Sequence, residues 1–187
     1  MEKLRQTFES FGFKGEILET VLNAFELQHY KKGEHIVEQG KVSRYMGLVE
    51  NGMFQYYVWK DGEERTTYVN VEGTFLASVL SYISQTPALE NVRAISDSSI
   101  SAISHENLKK LVNEIPAFKE FYIRLLEQSI CGIDASRHNL IVMTAEQRYE
   151  FLMQNEPHTL QLVPLQYISS MLGITPRHLS RIRKNIR

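Results

Sequence analysis

The side chains with the most chemical potential lie in the last stretch of the chain, 165–187, LQYISSMLGITPRHLSRIRKNIR. Gly173–Arg187 carries five Arg or Lys residues and no Asp or Glu. The formal net charge of the whole chain is −1, so residues 1–172 hold 16 basic and 22 acidic side chains, a balance of −6. A compact basic element on an acidic body has the electrostatic pattern of a nucleic-acid contact. Arg177 and Arg181 are guanidinium forks, which can take guanine O6 and N7 together. Arg183 carries the same fork, and Thr175, His178, Ser180 and Lys184 add shorter or point-like donors that can meet base edges or phosphates. The bland alternative is an amphipathic helix whose basic face serves only solubility, a role open above all to Arg183 and Arg187.

The elements that must position these groups can be read from the same stretch. Leu165, Ile168, Ser169 and Leu172 recur at i, i+3, i+4 and i+7, which predicts a short helix with an apolar or small face. Gly173 supplies the positive φ of a tight turn. Thr175 then provides an N-cap oxygen, and Pro176 sits at the first helical position, where a missing N–H costs nothing. Leu179, Ile182 and Ile186 give the second helix its own apolar stripe. Ser169 permits close approach and Ile174 plugs the corner, so the pattern is that of a helix-turn-helix.

Upstream, Leu4, Phe8, Phe11, Ile17, Leu18, Val21 and Leu22 predict helix across residues 2–24, broken at Gly12 and Gly15. From Phe25 to about Ile103 the period shortens. Segments Phe25–Tyr30, Arg44–Glu50, Met53–Trp59, Thr66–Val71, Glu90–Ser96 and Ser99–Ser104 are short and rich in aromatic or β-branched residues. Asn51-Gly52 and Asp61-Gly62 are hairpin signals in which both turn residues are expected at positive φ. An antiparallel barrel or sandwich follows. His105–Asn113 returns to helix, and Pro116 opens a much longer one reaching about Val142. Along it Ile123, Leu126, Ile130, Ile133 and Leu140, with Arg137 in the gap, form a heptad seam, which predicts a homodimer. A second stripe, Phe118, Phe121, Tyr122 and Leu125, is expected to pack on the barrel. Ala145–Gln154 is a further helix.

At 187 residues the chain can hold one good-sized domain or a domain plus a small appendage. No apolar run reaches the length of a membrane span, the start MEKLRQTFES is not signal-like, and Cys131 is the single cysteine. A cytoplasmic protein without disulfides, metal or cofactor is the expectation. The six histidines lack close metal-ligand spacing and read as surface or capping residues, and Cys131 reads as a buried inert thiol. No nucleophile or acid–base grouping appears, so an enzyme is not expected.

The order of elements, with LGITPRHLSRIR at 172–183 and AEQRYEFL at 145–152, resembles the Crp/Fnr family of bacterial transcription regulators. The resemblance implies an α+β fold: an N-terminal antiparallel β-roll of the cyclic-nucleotide-binding kind with flanking helices (1–115), a dimerisation helix (116–143) and a C-terminal helix-turn-helix (144–187). It implies double-stranded DNA as partner, with RNA polymerase and an unknown small-molecule effector as further ones, and no membrane. Arg177, Ser180 and Arg181 match the family's base-reading positions; Thr175, His178, Arg183 and Lys184 then fall to phosphates. The family's cyclic-nucleotide cassette matches residues 73–94, GTFLASVLSYISQTPALENVRA. Gly73 stands, but Ala77-Ser78 replaces the expected Gly-Glu and Ala88-Leu89-Glu90 the expected Arg-Ser-Ala. Cyclic AMP binding in the family's manner is therefore not expected, since an anionic phosphate loses its guanidinium partner. An effector pocket, if apolar, would use Gly73, Phe75, Leu76, Ala77, Ser78 and Ile133. Arg93 reads as a solvated strand residue. The alternative function is a small-molecule sensor that acts mainly through protein contacts.

Overall fold

The computed structural model describes residues 1–186, so Arg187 lies outside it. Two helices, α1 (Glu2–Ser10) and α2 (Gly15–Asn23), precede strands β1 (Glu26–Tyr30), β2 (His35–Val37), β3 (Tyr45–Asn51), β4 (Met53–Lys60), β5 (Glu63–Val71) and β6 (Phe75–Leu76). Helix α3 (Val79–Ser84) leads to β7 (Asn91–Ala94) and β8 (Ser98–Ser104). The chain continues through α4 (His105–Glu114), α5 (Pro116–Val142), α6 (Ala145–Asn155), α7 (Pro157–Leu162), α8 (Leu165–Met171) and α9 (Pro176–Asn185).

The strands form two antiparallel four-stranded sheets, ordered β1-β8-β3-β6 and β2-β7-β4-β5. Their inner faces meet over Val49, Leu76, Ile100 and Ala102 from one sheet and Phe54, Tyr56, Val92 and Ala94 from the other. Alternation along β4 and β8 places these side chains inward, as a half-buried strand requires. Short β2 and β6, and helices α3 and α7, have too few residues to show a period and were not legible in the sequence. Asp61 and Gly62 both take positive φ, whereas at Asn51-Gly52 only Gly52 does. The β3–β4 hairpin is thus a different turn from the one its dipeptide suggests.

A second cluster joins α1, α2, α4 and the start of α5. Phe121 stacks edge-on against Phe8 and Phe11 at centroid distances of 5.0 and 4.9 Å, and Phe75 of β6 lies 5.8 Å away. Phe118 and Phe121 are buried, with Tyr122 and Leu125 packed behind them, so the expected aromatic stripe does anchor α5. A third cluster holds α6–α9 together and continues onto the outer face of the second sheet through Val69, Val71 and Ile95. The outward face of β5 is therefore covered by the C-terminal helices at Val69 and Val71.

Helix α1 has no side-chain cap of its own. Glu50, at the end of β3, supplies one: its carboxylate accepts from the Lys3 and Leu4 amides at 2.9 and 3.1 Å and from Ser101 Oγ at 2.6 Å. An anion at a helix N-terminus is favoured by both the free N–H groups and the helix dipole. Glu50→Ala should lower unfolding stability by about 1–3 kcal/mol, because those donors are left partly buried without an acceptor. Urea unfolding measures this; an unchanged midpoint would show that Glu50 does not hold α1.

Candidate functional site

Thr175 caps α9 by accepting from the His178 amide at 3.2 Å, and Pro176 occupies the first turn. Gly173 has φ +69°, and the Ile174 amide closes back on Ser169 O at 3.0 Å. Leu179, Ile182, Ile168 and Leu172 are buried together, while Ser169 is 1% exposed where α8 and α9 approach. Leu165 departs from its expected place on the apolar face and is exposed. Each buried Leu or Ile contributes about 1.5–3 kcal/mol, which fixes which face of α9 turns inward.

Its outward face is then determined. Thr175, Arg177, Ser180, Arg181 and Lys184 are exposed, while His178 and Arg183 are half-buried. His178 Nε2 stands 3.9 Å from Glu146 at the start of α6, an ion pair only when the imidazole is protonated. Arg148 was not singled out as a functional side chain from sequence. Its Nη2 donates to Leu172 O at 2.6 Å, so α6 holds the C-terminal end of α8 and with it the turn into α9.

The residues expected to form a dimer seam lie along α5 as a row. Ile130, Ile133 and Leu140 are 65%, 59% and 58% exposed. Ile123 is also exposed, Leu126 half-buried, and Arg137 pairs with Asp134 at 2.8 Å on the same helix. At about 100° per residue, this row sits on the side of the helix away from the Phe11–Ile17 hollow. That hollow, about 330 Å³, lies between the α1–α2 turn and the foot of α5, and none of the expected effector residues lines it. Cys131 is exposed on α5, contrary to its reading as a buried thiol.

In the cassette, Gly73 is exposed and Ile133 stands apart on the exposed row of α5. Phe75 packs against Phe121, Leu76 lies in the roll core, and Ala77 is half-buried. Ala88, at the place of the family's arginine, is 3% exposed and belongs to the apolar roll core. Buried Ser78 donates to Glu90 Oε1 at 3.1 Å. Burial pushes the Glu90 carboxyl above its ordinary range, and the Ser78 hydrogen bond partly opposes that shift. The Tyr56 hydroxyl closes on Ala77, accepting from its amide at 3.0 Å and donating to its carbonyl at 3.1 Å. Tyr56 is deeply buried, which raises its pKa and keeps it a neutral donor. An entering phosphate would thus meet an acidic group and an apolar methyl where it needs a cation.

Arg93 also differs from expectation, being paired rather than simply solvated. Its Nη1 donates to Glu64 at 2.9 Å, its Nη2 to the same carboxylate, and its Nε to Gln55 at 3.1 Å. The guanidinium also lies 4.6 Å from the Tyr57 ring centroid.

Cyclic AMP should leave the melting temperature unchanged. A ligand at about one hundred times its dissociation constant stabilises by roughly 2.7 kcal/mol, which thermal unfolding detects readily. A saturable rise at micromolar cyclic AMP would contradict this account of the cassette.

Residues 27–114 match the cyclic nucleotide-binding domain model. A CooA variant from Carboxydothermus hydrogenoformans superposes with TM-score 0.69 at 22% identity, covering 88% of this chain and 77% of that one. FixK2 from Bradyrhizobium japonicum gives TM-score 0.71 at 17% identity, covering 87% and 84%. A structure from Eubacterium rectale, described as a transcriptional regulator of the Crp/Fnr family, gives 0.65 at 17%, covering 93% and 83%. Comparison with curated proteins gives no match. Residues 27–114 thus carry a cyclic nucleotide-binding domain, and the chain as a whole is an α+β protein that shares its fold with these solved structures.

Proposed function

We propose that the chain is a DNA-binding transcription regulator that works as a homodimer and does not answer to cyclic AMP. The observation that carries this reading is the outward face of α9, where Arg177, Ser180, Arg181 and Lys184 are exposed together on a helix with no acidic residue of its own. The opposite face is held by Leu179 and Ile182, so the basic side chains are presented by a rigid element. In this reading Arg177, Ser180 and Arg181 read base edges, and Thr175, His178, Arg183 and Lys184 meet phosphates.

Dimerisation through α5 supplies the second half of the device. Two copies related by a two-fold axis along the seam would present recognition helices about 34 Å apart, one turn of duplex. RNA polymerase is the further partner that such a regulator implies, and binding to chromosomal DNA implies the cytoplasm. Domain limits of 1–115, 116–143 and 144–187 divide the chain into roll, dimer helix and DNA-reading unit. Among the described residues no helix is long and apolar enough to cross a membrane.

Ile130→Glu should yield a monomer at micromolar concentration, since the dimer would otherwise bury two like charges at its seam. Light scattering that still reports a dimer would move the interface elsewhere.

Arg181→Ala and Lys184→Ala should weaken DNA binding in different ways. Loss of Arg181 should cost about 1–3 kcal/mol per half-site on a duplex selected from a random pool and blur preference at one base pair. Loss of Lys184 should weaken selected and scrambled duplexes alike and lower the salt slope by about one per half-site. If Arg181→Ala weakened both duplexes equally with base preference intact, Arg181 would not be a base reader.

A further inference from the structure

The helix-turn-helix is joined to the dimer helix by Met143 and Thr144 alone, between the end of α5 at Val142 and the start of α6 at Ala145. Met143 is extended, with φ −101° and ψ 142°. Two residues of extended chain do not by themselves fix the angle between two rigid units. Something else must fix it.

The fixing contact is made at β5, the edge strand of its sheet. An edge strand leaves outward amides without a ladder partner. The Thr66 amide is one of them, and it donates to Ser170 Oγ of α8 at 2.9 Å. Thr66 is 5% exposed, so without Ser170 this N–H would be buried without an acceptor. The side chain of Thr66 is held in turn: Gln55 Nε2 donates to Thr66 Oγ1 at 2.8 Å, and Gln55 accepts from Arg93, which is clamped by Glu64. Gln55 is 2% exposed and lies opposite Val69, which packs against the C-terminal helices. Around this polar chain, Val69 and Val71 pack into the same cluster as Ile168, Leu172 and Ile182. Helix α8 thus has one side on the roll and another on α9, and the basic face of α9 stays exposed.

We infer that Ser170 and Thr66 are positioning residues, whose contact sets the angle of the recognition helix to the dimer helix and thereby the half-site spacing the protein accepts. This rests on the DNA-binding reading above. A change of one base pair between half-sites moves each by about 3.4 Å and rotates it by about a tenth of a turn. A docked helix-turn-helix cannot follow that displacement, whereas one swinging on Met143–Thr144 can.

The test uses the full-length protein and operators selected from a random pool, rebuilt with one base pair added or removed between half-sites. Wild type should bind the selected spacing at least tenfold tighter than either altered one. Ser170→Trp, which wedges α8 off β5, should reduce that ratio to about twofold or less. Ser170→Ala should reduce it in part, and Ser170→Thr, which keeps the hydroxyl, should restore it. A simple loss of stability would lower affinity on all three operators and leave the ratio intact. If either Ser170→Trp or Ser170→Ala, folded by circular dichroism, keeps the wild-type ratio, the positioning role is wrong while DNA binding stands. If wild type selects no duplex at all, the DNA-binding reading fails, and the positioning role fails with it.

Discussion

The burial of Phe118 and Phe121 at the foot of α5 is the interaction on which the rest of the molecule depends. Phe121 touches rings from α1, from the α1–α2 turn and from β6, so it ties the N-terminal helices, the roll and the long helix at one point. A rigid helix anchored on one side has no choice about where its other sides face. With the aromatic stripe turned inward, Ile123, Ile130, Ile133 and Leu140 are left in water. Each such side chain would gain about 1.5–3 kcal/mol on burial, which the proposed pairing with a second copy of the same row would supply.

The second sheet has to satisfy contacts on two faces. Phe54, Tyr56, Val92 and Ala94 face the first sheet, and Val69 and Val71 face the C-terminal helices. The roll is thus a platform for the C-terminal helices as well as a domain with an interior. In that interior the Ser78–Glu90 pair and the Ala88 methyl stand where an anionic ligand would need positive charge.

Long, strongly patterned elements were legible in the sequence, and the reasons are physical. Helix α5 has Gly132 as its only glycine and no proline after Pro116 over 27 residues, and its bounds follow from Pro116 and the loss of period after Val142. The cap at Thr175, the turn at Gly173 and the stripe of Leu179 and Ile182 each demand a particular residue type, so the helix-turn-helix could be read locally. Strands β2 and β6 are too short to establish alternation. Arg93 looked solvated because its partners, Gln55 and Glu64, lie 38 and 29 residues away along the chain. Cys131 looked buried because long apolar helices are usually core, whereas α5 leaves its middle uncovered. Ser170 gave no signal, since a serine beside Ser169 says nothing of an edge amide 104 residues away. Contacts across such distances are written in the topology and not in the local spacing.

The central claim is that two copies joined along α5 present two recognition helices to one face of a duplex. Hydroxyl-radical footprinting of the wild-type protein on a selected operator tests it most directly. The account predicts two protected patches related by two-fold symmetry, centred about one helical turn apart on the same face, at two chains per duplex. A single asymmetric patch, or protection with one chain per duplex, would contradict it.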